Sequence, residues 1–231
     1  MEEKPPQLSG SEALQILATE HWSLLATRGL TYQESFGRVN MFLAILSGAV
    51  IALALVAQAD RFGAAFVSIA IFMLTVVLVT GVFTVARLMA LNTDDYRWVV
   101  AMNRIRNAYL AMHPELAPHF TTSPHDDIPG ALQTLGIDPG GLGFLGSTFH
   151  NLQTLPGMLS VIVAAVAGAI GGLLAFGFGL APVLVLLAGM AFFVIAVVLL
   201  TVWSRRSVRP RRPSPALDPR FPTPRAPETG R

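Results

Sequence analysis

Cysteine is absent from the 231 residues, and lysine occurs once, at Lys4. Without thiols there is no disulfide framework, no thiolate nucleophile, no iron–sulfur cluster and no cysteine-ligated zinc. Charge is scarce as well. Asp, Glu, Lys and Arg make up 13% of the chain, against about 25% in an ordinary soluble domain. Apolar residues make up 53%. These deficits exclude an intrinsically disordered chain, a disulfide-stapled secreted domain and an ordinary soluble enzyme, and they leave an integral membrane protein.

Four stretches carry no Asp, Glu, Lys, Arg or His: Met41–Ala59, Phe62–Ala86, Met158–Leu180 and Pro182–Trp203. A helix rises 1.5 Å per residue and the hydrocarbon core is about 30 Å thick, so roughly 20 apolar residues span it. A charge at mid-bilayer costs about 2.5–3.5 kcal/mol on insertion scales, so such clean runs read as spans. The expected fold class is all-α: a polytopic membrane protein with four transmembrane helices in two hairpins and a small cytosolic helical layer. Asp60 and Arg61 are the only charges inside the first hairpin. Gly179-Leu180-Ala181-Pro182 turns the second, with Pro182 placed to start a helix, where its missing N–H costs nothing.

The chain then divides into cytosolic amphipathic N-terminal helices (1–40), a first transmembrane hairpin (41–86), a cytosolic helix plus irregular loop (87–157), a second hairpin (158–203) and a disordered Arg/Pro-rich tail (204–231). The acidic start, Met1-Glu2-Glu3-Lys4-Pro5-Pro6, lacks the basic region followed at once by an apolar run that a cleaved signal peptide needs. Orientation follows from Lys and Arg. Lys4, Arg28, Arg38, Arg87, Arg97, Arg104, Arg106 and the eight tail arginines fall on one side and Arg61 alone on the other. The positive-inside rule therefore places both termini and the central segment in the cytoplasm of a cell-membrane protein.

The cytosolic layer is expected from residues 11–38 and 93–112. Ser11 is a plausible N-cap for a helix through Leu14, Leu17, Trp22 and Leu25, interrupted at Gly29. Thr31 and Glu34 then have capping-box spacing for a second helix that runs into the first span. Thr93-Asp94-Asp95 reads as a fresh N-cap, followed by an apolar stripe at Trp98, Met102, Ile105, Tyr109 and Met112. One short helix is expected near Ala131–Leu135.

No motif carries catalysis. His113, His119, His125, Glu115, Asp126 and Asp127 are metal-ligating types, but their six-residue spacing among Pro114, Pro118 and Pro124 reads as loop histidines. Gly141-Leu-Gly-Phe-Leu-Gly146 has the letters of a dinucleotide fingerprint, without the preceding strand or the acid about 20 residues on that the chemistry requires. No metal or cofactor is expected, nor any nucleic-acid partner. The spans contain no ionisable group of the kind that ion-coupled transport uses. Their hydroxyls are expected to bond back to their own helices.

Two features remain. The third span carries small-residue ridges at four-residue spacing, Ala164–Gly168–Gly172 and Ala167–Gly171–Ala175, which permit close helix approach within the chain or between copies. Arg205, Arg206, Arg209, Arg211 and Arg212 follow the fourth span and suit anionic lipid headgroups.

The stretch Trp22-Ser-Leu-Leu-Ala-Thr-Arg28, with Glu34-Ser-Phe-Gly-Arg38, Met102-Asn-Arg-Ile-Arg-Asn-Ala-Tyr-Leu110 and His125-Asp-Asp127, resembles uncharacterised bacterial four-span membrane proteins. That resemblance implies a bacterial inner-membrane location and no activity. The pre-span helix and first hairpin also resemble SLATT-type two-span modules, which are proposed membrane effectors in bacterial conflict systems. The expected function is a non-enzymatic multi-pass membrane protein, either an oligomeric channel-like or effector-like module or an anchor recruiting a cytosolic partner, with small-molecule transport as a further alternative.

Overall fold

The computed structural model describes residues 9–137, 154–208 and 217–224. Its helices are α1 (Gly10–Asp60), α2 (Ala64–Met112), α3 (Ile128–Thr134), α4 (Leu155–Gly177) and α5 (Pro182–Val208), with a 3-10 turn at Pro114–His119. No strand occurs among the described residues. Four of the helices are long and apolar enough to cross a membrane. The protein is therefore an all-α, four-span, multi-pass membrane protein, as its charge-free stretches require. The Gly141–Gly146 run and His150 lie outside the described residues.

The chain forms two compact units. An apolar unit comprises residues 33–92 and 154–208, and a polar unit comprises residues 9–32, 93–137 and 217–224.

In the apolar unit, Phe42 and Ala49 of α1, Leu74, Val77 and Val85 of α2, Leu159, Val163, Val166 and Ile170 of α4, and Leu200 of α5 share one core. The outward faces are also apolar: Ile51, Phe72, Phe83, Leu186 and Leu199 are all exposed. Lipid is the solvent that suits them. Ser68, Thr75, Thr80, Thr84 and Ser160 each donate to the carbonyl four residues back, at 2.7–3.0 Å, so the hydroxyls are satisfied inside their own helices as expected.

Both hairpin turns are chemically defined. Asp60 ends α1. Its carbonyl accepts from Gly63 N at 2.9 Å and its carboxylate from Phe66 N at 2.7 Å, so one residue closes the turn and caps α2. Between them Arg61 and Phe62 sit at φ 46° and 62°, a left-handed conformation costing about 1–2 kcal/mol for a side-chain-bearing residue. The second turn ends α4 in a Schellman motif: Gly179 N donates to Phe176 O and Leu180 N to Ala175 O, with Gly179 at φ 72°. Pro182 begins α5.

In the polar unit, Leu24 of α1, Val99, Val100, Met102 and Ile105 of α2 and Ala131 of α3 form a separate core. Trp98, Tyr109 and Leu217 pack against it. The expected stripe is thus a wider face, because Val99 and Val100 are more buried than Trp98 or Tyr109.

Three local expectations are corrected. Gly29 does not break α1, which is continuous; the cost of one helical glycine is about 1 kcal/mol. The capping box forms at the true start instead, where Ser9 N donates to Glu12 Oε2 at 2.8 Å and Glu12 N to Ser9 Oγ at 3.3 Å. Thr31 donates to Thr27 O at 3.0 Å, and Glu34 is taken by Arg38 and Arg87 at 2.8 and 3.0 Å. Those two guanidiniums, Arg87 foremost, hold the Glu34 carboxyl down to about 2. Nor do Thr93–Asp95 start a helix, since α2 runs through them. Asp94 pairs with Arg97 at 3.2 Å, and Asp95 accepts from Arg28 Nε at 2.6 Å and Nη2 at 3.2 Å. The short helix expected near Ala131–Leu135 is α3, with Asp127 as its N-cap.

Three helices meet at Gly81. A Cβ there would lie 2.6 Å from Val163 Cγ2 and 2.9 Å from Phe42 Cε2, and Phe42 is fully buried. Gly81→Ala should destabilise the protein by about 1–3 kcal/mol through overpacking, read as a lower Tm in detergent. Gly48→Ala, with nothing within 4 Å, should leave Tm unchanged or raise it.

Candidate functional site

One cluster of polar side chains in the polar unit converges on the loop Ser123–Asp127. Asn103, fully buried on α2, donates through Nδ2 to His125 O at 2.7 Å. Its Oδ1 accepts from Arg106 Nη1 at 2.6 Å and Thr134 Oγ1 at 3.0 Å. Ser123 N donates to Thr134 Oγ1, and His125 N to Ser123 Oγ, both at 3.2 Å. A Cβ on Gly130 would collide with the His125 backbone, so only glycine lets α3 approach this loop. The loop is thereby fixed from α2 and α3 together.

The fixed loop presents two carboxylates. Asp126, whose side chain has no exposed surface, accepts from Arg104 Nε at 2.7 Å, Arg220 N at 2.9 Å and Phe221 N at 2.8 Å. Asp127 caps α3 by accepting from Gly130 N at 3.0 Å. It also accepts from Thr223 N and Thr223 Oγ1, both at 2.8 Å. Arg104 Nη2 donates to Asp218 O at 2.8 Å and Asp126 N to Phe221 O at 3.2 Å. Residues 217–224 are therefore held in a cradle. Within the tail expected to be disordered over 204–231, residues 217–224 are held in place: the tail's composition cannot build a core, but a core built elsewhere binds this segment.

Electrostatics favours the charged cradle. Burial alone would push the Asp126 carboxyl up; the Arg220 amide, the Arg104 guanidinium and the Phe221 amide outweigh it and hold the group below its ordinary 3.8. Asp127 is lowered likewise, burial being outweighed by the amides of Thr223 and Gly130 and by the Thr223 hydroxyl. Saturated carboxylates of this kind accept hydrogen bonds; they are poor proton acceptors and poor metal ligands. His113 Nδ1 lies 3.0 Å from Glu115 Oε1, and no group of three metal-ligating residues comes together among the described residues.

The small-residue ridges of α4 face α5 of the same chain. A Cβ on Gly168 would meet Gly189 O at 3.0 Å and Phe193 Cβ at 3.1 Å. Gly171 lies against the Phe192 ring, and Gly172 against Val185 and Gly189. Ala164, Ala167 and Ala175 are buried. Of the basic cluster, Arg206 is exposed; the side chain of Arg205 and all of Arg209, Arg211 and Arg212 lie outside the described residues.

The sequence reading missed Asn103, Arg104, Asp126, Asp127 and Thr223 as one site. The one legible signal was Asp127-Ile-Pro-Gly130, a helix start with its cap in place. No protein-family model matches this chain, and no curated protein or solved structure matches it.

Because both cradle carboxyls are depressed while the tail is docked, docking is fully supported above 3.8 and is lost as pH falls through the depressed values. A fluorophore on Pro222→Cys, the sole thiol in the chain, should gain rotational freedom over that acid range, measured as anisotropy. Asp126→Asn should weaken docking by about 1.5–3 kcal/mol at neutral pH.

Proposed function

We propose that this membrane protein is a non-enzymatic anchor: its spans fix it in the cell membrane, and its polar unit recruits a cytosolic partner. The carrying observation is where buried polar chemistry lies. Among the described residues, the buried polar side chains Asp95, Asn103, Ser123 and Asp126 all belong to the polar unit, whereas that of the apolar unit is Thr84, bonded to Thr80 O. A transporter needs polar groups where substrate crosses. Here Phe42, Val77, Val163 and Ile170 fill that interior.

The small-residue ridges likewise support an anchor over an oligomeric channel, since α5 occupies them. In this reading both termini are cytoplasmic, which the arginine distribution supports, and the basic cluster from Arg205 to Arg212 suits anionic headgroups, at about 1 kcal/mol per basic residue.

Two measurements test this. The chain lacks cysteine, so single substitutions give clean accessibility. Arg61→Cys should react with a membrane-impermeant maleimide in intact cells, and Glu20→Cys and Glu115→Cys only after permeabilisation; the reverse pattern overturns the orientation. Proteoliposomes containing the purified protein should hold potassium and proton gradients as long as empty liposomes do. Ion-selective leakage would replace the anchor with a channel.

A further inference from the structure

Residues 217–224 lie on the polar unit as a ligand lies on a receptor. Their fastening runs mostly through main chain: the amides of Arg220, Phe221 and Thr223 donate, and the carbonyls of Asp218 and Phe221 accept. Side chains contribute the Thr223 hydroxyl and the apolar contact of Leu217. Pro219, Pro222 and Pro224 alternate with the residues that bond. Each proline fixes its own φ, so less ordering entropy is lost on docking. The segment buries little, and Phe221 is 39% exposed. On the receptor side, Asn103, Ser123, Thr134 and Gly130 set the loop through contacts that do not involve the tail.

We propose that the Asp126–Asp127 cradle is a peptide-binding site for a bent, proline-interrupted segment of a partner protein, and that residues 217–224 occupy it in cis. The recognition is of backbone: Asp126 takes two successive amides, Asp127 takes the amide two residues on, and Arg104 takes a carbonyl before them. Partners are those whose segments leave these amides free between prolines. This deepens the anchor reading by naming the chemistry of what is recruited. A tethered tail competes at an effective concentration on the order of mM, so the site opens only to a partner that outcompetes it or to a chain whose tail has been released.

The test uses the full chain in detergent and, as probe, a fluorescein-labelled peptide of residues 216–225. A chain carrying Arg220→Pro, Phe221→Pro and Thr223→Pro loses the three tail amides that donate to the two carboxylates, and these changes lie outside every helix. Anisotropy should show saturable binding to this variant, at least tenfold weaker binding to wild type, and at least tenfold weaker binding of a probe N-methylated at the residue 221 amide. No saturable binding to the proline variant, or equal binding of the N-methylated probe, would overturn the proposal. Neither result touches the maleimide or liposome measurements, so the anchor reading stands or falls separately.

Discussion

Hydrocarbon offers no hydrogen bonds, so a chain that crosses it must satisfy every backbone group from within. That constraint organises the apolar unit. The spans are unbroken helices, the hydroxyls of Ser68, Thr75, Thr80, Thr84 and Ser160 turn back onto carbonyls four residues earlier, and irregular backbone is confined to the ends. Where the chain must reverse at Asp60–Gly63, it accepts two left-handed non-glycine residues, Arg61 and Phe62. Asp60 then supplies the acceptors that close the turn and cap the next helix.

The same solvent removes the hydrophobic drive between helices and leaves packing to hold them. The glycines are placed accordingly. Gly168 and Gly189 bring α4 and α5 together until the backbone of each limits the other. Gly81 lets Phe42 of α1 and Val163 of α4 close over α2. The most buried of the four spans is α4. Small residues are also densest on that helix.

The spans were legible because exclusion of charge is a property of each stretch by itself, and so was the four-residue spacing of the ridges, though not whether they serve one chain or two. The breaks expected at Gly29 and at Thr93–Asp95 failed for the opposite reason. A glycine or a pair of aspartates carries a local preference of about 1 kcal/mol. Tertiary contacts outweigh it here: the Arg28–Asp95 pair and the core of Leu24, Val99 and Val100. Local grammar identifies places where a helix can start; it does not register a partner 67 residues away. The contacts of residues 217–224 are hidden from sequence on the same ground. The tail's proline content correctly excludes a core of its own, but Asp126 meets Arg220 across 94 residues, a distance over which composition is silent.

The cradle shows why such a buried carboxylate is informative. Taking an aspartate out of water is costly unless its lone pairs are filled. With the tail docked, Asp126 is filled by a guanidinium and two amides. With the tail withdrawn, Arg104 would remain as the charged partner while the amide donors were lost, and water would have to supply them at a site shaped for a peptide. An unsatisfied acceptor of that kind favours occupancy by whatever chain offers successive free amides. The depressed proton affinity that the donors produce keeps the acceptor charged at neutral pH. In the proposed reading, occupancy of the cradle by peptide backbone rests on the acceptor geometry of Asp126 and Asp127, and the identity of the occupant on which amides the prolines leave free.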